Sequence, residues 1–216
     1  MENQKNNLDF YSLMDKLKER LALPLPGEMA HQLMAAKSRM SLPKTPNSNT
    51  KKSAVLILFY PFESGINIPL ILRPPYDGMH GGQVAFPGGR NEKTDENLIR
   101  TALREAQEEI GIRIADVSIL GQLSELYIPP SNFLVQPVVG FMHSRPTFYP
   151  DPKEVDTVFE ISLEQLINPN IVSEEILNVR GVEVEAPIYA FQNHKVWGAT
   201  AMMIAELLMV LDWEKE

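Results

Sequence analysis

Three glutamates, Glu105, Glu108 and Glu109, stand at i, i+3 and i+4, the spacing that puts side chains side by side on one helical face. Like charges so placed repel and weaken an isolated helix by about 0.2–0.5 kcal/mol per pair. Their commonest chemical use is to hold a hard divalent cation, since Mg²⁺ takes oxygen ligands from a few carboxylates and from substrate phosphates. The plain alternative is a solvated helix face, because glutamate is a good helix former. The neighbouring residues favour the metal reading. Phe86-Pro87-Gly88-Gly89 ends an apolar, strand-like run in a turn that glycine makes easily. Arg104 sits beside the carboxylates, where a guanidinium can pair with one and fix its rotamer. Gly111 then closes the helix before Ile112 begins another apolar segment.

This arrangement resembles the signature of the Nudix hydrolases, which reads Gly, five residues, Glu, seven residues, Arg-Glu-U-X-Glu-Glu-X-Gly-U with U aliphatic. Arg104, Glu105, Ala106, Glu108, Glu109, Gly111 and Ile112 match the second half. The first half carries one extra residue, in the polar loop Arg90-Asn91-Glu92-Lys93-Thr94-Asp95. Asp95 or Thr94 is then expected to cap the helix. Upstream, Arg73, His80, Gly82 and Gln83 together with the Phe86–Gly89 turn resemble the added motif of the coenzyme A pyrophosphatase branch. Leu126 to Phe133 (Leu-Tyr-Ile-Pro-Pro-Ser-Asn-Phe) and Val196-Trp197-Gly198-Ala199-Thr200 are similar to that branch as well. Pro74, Gly78 and Leu70-Ile71-Leu72 depart from its usual pattern.

The resemblance implies a Mg²⁺- or Mn²⁺-dependent cleavage of a pyrophosphate bond in a nucleoside-diphosphate derivative. Coenzyme A or its thioesters, cut to phosphopantetheine and 3′,5′-ADP, are the expected substrates; ADP-ribose or (d)NTP hydrolysis is the rival, and a non-catalytic nucleotide sensor the reading from another class. It also implies Glu105, Glu108, Glu109 and the Gly88 carbonyl as metal ligands, with Arg104 orienting them. Glu108 or Glu109 is a candidate general base, as are Glu154, Glu174 and Glu175 from elsewhere in the chain. Arg73, His80, Gln83, Phe86, Gly89, Tyr127, Asn132 and Phe133 are the candidate substrate contacts. The Trp197 indole and the stripe Met202, Met203, Leu207, Leu208, Met209 are expected in the core.

The surrounding elements must position these residues. A chain of 216 residues suits one domain, or one with an extension. Zero cysteines exclude a disulfide framework, a zinc-thiolate site and a cysteine nucleophile. A net charge of -8 speaks against a general nucleic-acid binder. The polar N-terminus and the lack of a long apolar run predict a cytoplasmic protein with no membrane segment. A small nucleotide is the expected partner, with a homodimer left open.

Helical periodicity appears over 8–22 and 27–40, followed by a polar linker over 43–52. Strands are expected at 54–60, 68–72, 84–86, 117–127, 133–141 and 155–161, with a hairpin of 182–185 against 188–191. Helices are expected at 95–110, at 163–167 behind a Ser162 cap, and at 199–213. The pattern predicts an α/β protein, a Nudix-type α/β/α sandwich with a mixed sheet. Residues 1–50 would form an N-terminal helical extension and linker, and residues 51–216 the hydrolase domain.

Overall fold

The computed structural model describes residues 2–43, 45–63, 65–75, 81–179, 181–191 and 193–211. Strand β1 (Lys51–Phe62) is the spine of the main sheet. It runs antiparallel to β2 (Gly65–Leu72) and to the short β4 (Gly88–Arg90), and parallel to β7 (Phe133–Phe141). Beyond β2 lie β3 (Val84–Ala85) and β8 (Thr157–Ser162); beyond β7 lie β5 (Ser118–Gln122) and β6 (Leu126–Ile128). The sheet is therefore mixed, as expected.

Alternation along β1 builds two cores. Ala54, Leu56, Leu58 and Tyr60 face helix α3 (Leu98–Ile110), meeting Ala102, Leu103, Ala106 and Ile110. Ile57 and Phe59 point to the other face, where they join residues of α1 (Glu2–Leu21) and α5 (Gly198–Leu211). Period-2 alternation in a sheet covered on both sides makes both sets apolar, which is why β1 reads as one continuous hydrophobic run. Helices on both faces complete the α/β/α sandwich.

The N-terminal segment packs on this sandwich. Phe10, Met14, Leu17 and Leu21 form the buried stripe of α1, and α2 (Glu28–Leu33) lies against α5. A 3-10 turn at Lys37–Ser41 follows. His31 Nε2 meets Glu206 Oε2 at 2.9 Å, and the same carboxylate accepts from Gly27 and Ser124 backbone N–H groups at 3.0 and 3.2 Å. Glu206 is fully buried on α5, so this hydrogen-bonded cluster ties the segment to the sandwich.

Several boundaries differ from the periodicity. Helix α3 begins at Leu98, capped by Asn97, whose side chain accepts from the Arg100 N–H. Neither Thr94 nor Asp95 is the cap, because the Asp95 carboxylate is taken by Arg104. The run 117–127 breaks into β5 and β6, since Gln136 Nε2 occupies the Leu123 carbonyl and the Ser124 N–H turns to Glu206. Residues 182–191 form one strand, β10, rather than a hairpin. It pairs with β9 (Val172–Val179) and β11 (His194–Trp197) in a separate three-stranded sheet. Pro187 is tolerated there because β11 pairs with β10 only from Ile188 onward. The 163–167 helix matches α4 (Leu163–Leu166), with Ser162 and Gln165 forming a capping box.

Candidate active site

The site is assembled where β4 passes the middle of α3. Gly88 has φ +155° and pairs with Val55; a Cβ there would lie 2.4 Å from the Ala54 carbonyl and 2.5 Å from Val55 Cα. A Cβ on Gly89 would lie 2.3 Å from Glu105 Oε2. The two glycines thus let the backbone pass against β1 and leave room for a carboxylate.

Glu109 is 1% exposed, and its Oε2 accepts the Gly88 N–H at 2.7 Å. Arg73 bridges this unit, with Nη2 2.8 Å from the Gly88 carbonyl and 3.1 Å from Glu109 Oε1. Burial pushes the Glu109 carboxyl up to about 7, opposed by Arg73 and the Gly88 N–H and reinforced by Glu105 and Glu154. Glu105 is also raised, by burial first, with Arg104 opposing and Glu108 and Glu154 adding to the rise.

Arg104 is the organiser of the outer edge. Its Nε and Nη2 hold Asp95 in a bidentate pair at 2.9 Å each, and Nη2 also donates to the Arg90 carbonyl at 3.0 Å. Its Nη1 lies 2.9 Å from both Glu105 and Glu108. The Arg104 hydrogen bonds hold the Asp95 carboxyl well below its usual range. The extra residue of the 90–95 loop therefore ends in an anchor for Arg104, a role that the sequence pattern left unassigned.

Glu154 arrives from a loop far along the chain. Tyr149 and Asp151 donate their backbone N–H groups to the carbonyls of Ile110 and Glu109, the last turn of α3, and Glu154 N–H closes a turn on Asp151. Capping the helix C-terminus in this way satisfies carbonyls that have no intrahelical partner and brings Glu154 to the carboxylates.

A cavity of about 470 Å³ opens over this cluster and is lined by Glu105, Glu109, Glu154, Arg73, Gln83 and Gly89 among others. The rest of its lining is mainly apolar, with Val55, Ile128, Phe133, Val179, Val184, Met202 and Met203, and also includes Arg39, Arg90 and Ser53. Trp197 lines it too, partly exposed at the end of β11 rather than in the core as expected, while Thr200 ties α5 to the Val84 carbonyl at 3.0 Å.

The expected residues thus divide. Arg73, Gln83, Phe86, Gly88, Gly89, Glu105, Glu109 and Phe133 reach one cavity, although Phe86 is 1% exposed and mainly core. Glu108 does not; its side chain is 54% exposed and turned toward Arg104. Tyr127 and Asn132 do not either. The Tyr127 hydroxyl donates to Asn132 Oδ1, which also receives Thr50, while Asn132 Nδ2 donates to the Asn49 carbonyl, so both side chains lock a loop. Glu174 and Glu175 lie on β9 and pair with Lys37 and Lys195, away from the carboxylate cluster. His80 lies outside the described residues, as do Gly78 and Trp213.

The donor set fits a hard divalent cation bound together with substrate. Among the described residues no three acidic or histidine side chains form a ready-made metal cage. Mg²⁺ seldom needs one, since it keeps waters and takes a carboxylate or two plus substrate phosphates. Glu105 and Glu109 offer those carboxylates, and the glycine at position 89 preserves the space beside Glu105.

A sandwich of this kind with a carboxylate-bearing helix behind a glycine turn defines a class, the metal-dependent hydrolases of Nudix fold. The NUDIX domain family profile matches residues 50–202. A relative from Photorhabdus laumondii, named an uncharacterized Nudix hydrolase NudL, is 33% identical over 175 residues, covering 76% of this chain and 87% of its own. One of the same name from Yersinia pestis is 34% identical over 154 residues, covering 67% and 77%. A solved MutT/nudix family protein from Enterococcus faecalis superposes with a TM-score of 0.51 at 15% identity, covering 92% of this chain and 73% of that one, which supports the fold. The chain belongs to the Nudix hydrolase family. It is a Nudix-type pyrophosphohydrolase, from a family that uses divalent metal ions on small nucleotide substrates. Among the described residues no helix is long and apolar enough to cross a membrane.

Proposed function

We propose that this enzyme hydrolyses the pyrophosphate bond of coenzyme A or its thioesters, releasing phosphopantetheine and 3′,5′-ADP, with Mg²⁺ or Mn²⁺. The observation that carries the reading is the mixed lining of the cavity, which combines Glu105, Glu109, Glu154 and Arg73 with the apolar side chains of Phe133, Val179, Val184 and Trp197. A pyrophosphate with a long, weakly polar arm suits this mixed lining, whereas a substrate charged throughout would set phosphates against its many apolar side chains. ADP-ribose and (d)NTPs are the rival substrates.

A divalent cation held by Glu105 and Glu109 would neutralise phosphate oxygens and acidify a water. Arg104, itself gripped by Asp95, positions Glu105 through Nη1, which also meets Glu108. Arg73 fixes Glu109 and the Gly88 carbonyl and lines the cavity, where its remaining donors would serve a phosphate oxygen. Glu154 is the proposed base, because it enters the cavity from a different element than the metal-holding pair and is engaged by no ion pair among the described residues. The general-base candidates Glu108, Glu174 and Glu175 lack that placement.

The test is a turnover screen of coenzyme A, acyl-coenzyme A, ADP-ribose and dNTPs with each metal. Coenzyme A compounds should give the highest kcat/KM. Rapid ADP-ribose turnover with none of coenzyme A would overturn the substrate and leave the family untouched.

A further inference from the structure

The N-terminal segment puts a cation into the cavity that the carboxylate cluster does not use. Arg39 lies in the 3-10 turn Lys37–Ser41 and lines the same cavity as Glu105 and Glu109. Its Nη2 donates to the Tyr127 carbonyl at 2.7 Å, and among the described residues that carbonyl is the acceptor its guanidinium meets. A guanidinium carries five N–H donors, and the Tyr127 carbonyl takes one of them. Burial works against its charge, lowering its pKa from the ordinary value, with Glu28 opposing. A half-buried cation with no carboxylate in contact among the described residues is the arrangement that an incoming anion completes.

Register places this cation well away from the reaction centre. Gly88 pairs with Val55 on β1, whereas Tyr127 pairs with Leu134 on β7, which pairs with Lys52. The two points differ by three residues along β1 and three strands across the sheet. At about 3.3 Å per residue and 4.8 Å per strand, they are on the order of 15 Å apart. The turn that carries Arg39 is held in place by Lys37, which pairs with Glu185 on β10.

We propose that Arg39 binds a second anionic group of the substrate, a carboxylate or phosphomonoester remote from the scissile pyrophosphate, so that the N-terminal segment selects among substrates. The inference rests on the pyrophosphohydrolase reading of the cavity, and coenzyme A compounds supply its probes. Succinyl- and butyryl-coenzyme A have acyl arms of the same length and differ in a terminal carboxylate against a methyl. Coenzyme A and dephospho-coenzyme A differ in one phosphomonoester. Calorimetric titration of both pairs, which needs no turnover, is combined with steady-state kinetics on wild type, Arg39→Gln and Arg39→Lys.

The wild type should favour the anion-bearing member of one pair on the order of tenfold in Kd and KM, with kcat little changed. Arg39→Gln, which keeps a donor for Tyr127, should bring that ratio to about one, and Arg39→Lys should retain part of it. The pair that responds identifies the anion. The inference falls if the wild type prefers neither anion, or if Arg39→Gln melts like wild type and keeps both ratios. Hydrolysis with unchanged ratios would remove the subsite and leave the coenzyme A reading standing. Tighter binding through Arg39 without hydrolysis of any of these compounds would do the reverse.

Discussion

Glu109 on α3 and Glu206 on α5 are buried to the same degree, 1% and 0% exposed, on opposite faces of the main sheet, yet their acidities move in opposite directions. Burial raises both. At Glu206 it is outweighed by His31, the Ser124 N–H and the Gly27 N–H, and the carboxyl falls below its ordinary value. At Glu109, Arg73 and Gly88 do not offset burial and the neighbouring Glu105 and Glu154, and the carboxyl stands at about 7. A carboxylate whose bonds are complete holds the fold together. One surrounded by more negative charge than its partners neutralise has a place for a cation.

The sharpest way to break this contrast is to remove each charge in turn. Glu109→Gln should lower kcat/KM by roughly a thousandfold or more while leaving the melting temperature equal or higher, since a destabilised buried carboxylate is relieved. Normal turnover by that variant would mean that the reaction centre lies elsewhere. Glu206→Gln should do the opposite. It breaks a buried pair and should cost on the order of 3 kcal/mol in urea unfolding, with activity per folded molecule retained. His31→Leu with Glu206→Leu together should regain part of that loss, because an apolar pair needs no partners.

Smaller changes sharpen the active-site half. Gly89→Ala should lower activity on the order of a hundredfold with little loss of stability, as its Cβ displaces the Glu105 carboxylate. Arg104→Lys should cost on the order of tenfold in kcat/KM, because one ammonium cannot grip Asp95 bidentately and still reach Glu105 and Glu108. Both are checked by kinetics alongside circular dichroism melts.

The smallest expected effect concerns pH. Hydrogen bonds from Arg145 hold the Glu160 carboxyl below its ordinary value of 4.5, against partial burial. Its folded pKa is depressed, so its stabilisation is complete above about pH 4.5 and is lost as pH falls through the lower folded value. Glu160→Gln should therefore flatten the stability curve below pH 4.5 by well under about 1 kcal/mol, given its exposure. Acid unfolding of variant and wild type measures the difference.

Much of the fold was readable because it is written in local periodicity. The continuous apolar run of β1, the Ser162 cap and the Gly111 stop all depend on near neighbours, and Gly111 does take the left-handed C-cap conformation. Misreadings occurred where distant groups compete for backbone or side-chain partners. Ser124 turns to Glu206, 82 residues away, and so splits β5 from β6. Asp95 gives up a cap to hold Arg104. Strand β9, polar and outward-facing over Ser173-Glu174-Glu175, carries little apolar signal, and periodicity assigns no element there.

The site divides along the same line. The spacing of Glu105, Glu108 and Glu109 follows from the 3.6-residue turn, so one helical face, its glycine approach and the hydrolase family could be read from the chain alone. Which glutamates point inward could not. Residues four apart on a helix differ by about 40° in direction, and those three apart by about 60° the other way, so packing against β1 and β4 chooses Glu105 and Glu109 and leaves Glu108 in solvent. The arrival of Arg73, Glu154, Trp197 and Arg39 around them depends on sheet register and helix capping between segments far apart in sequence.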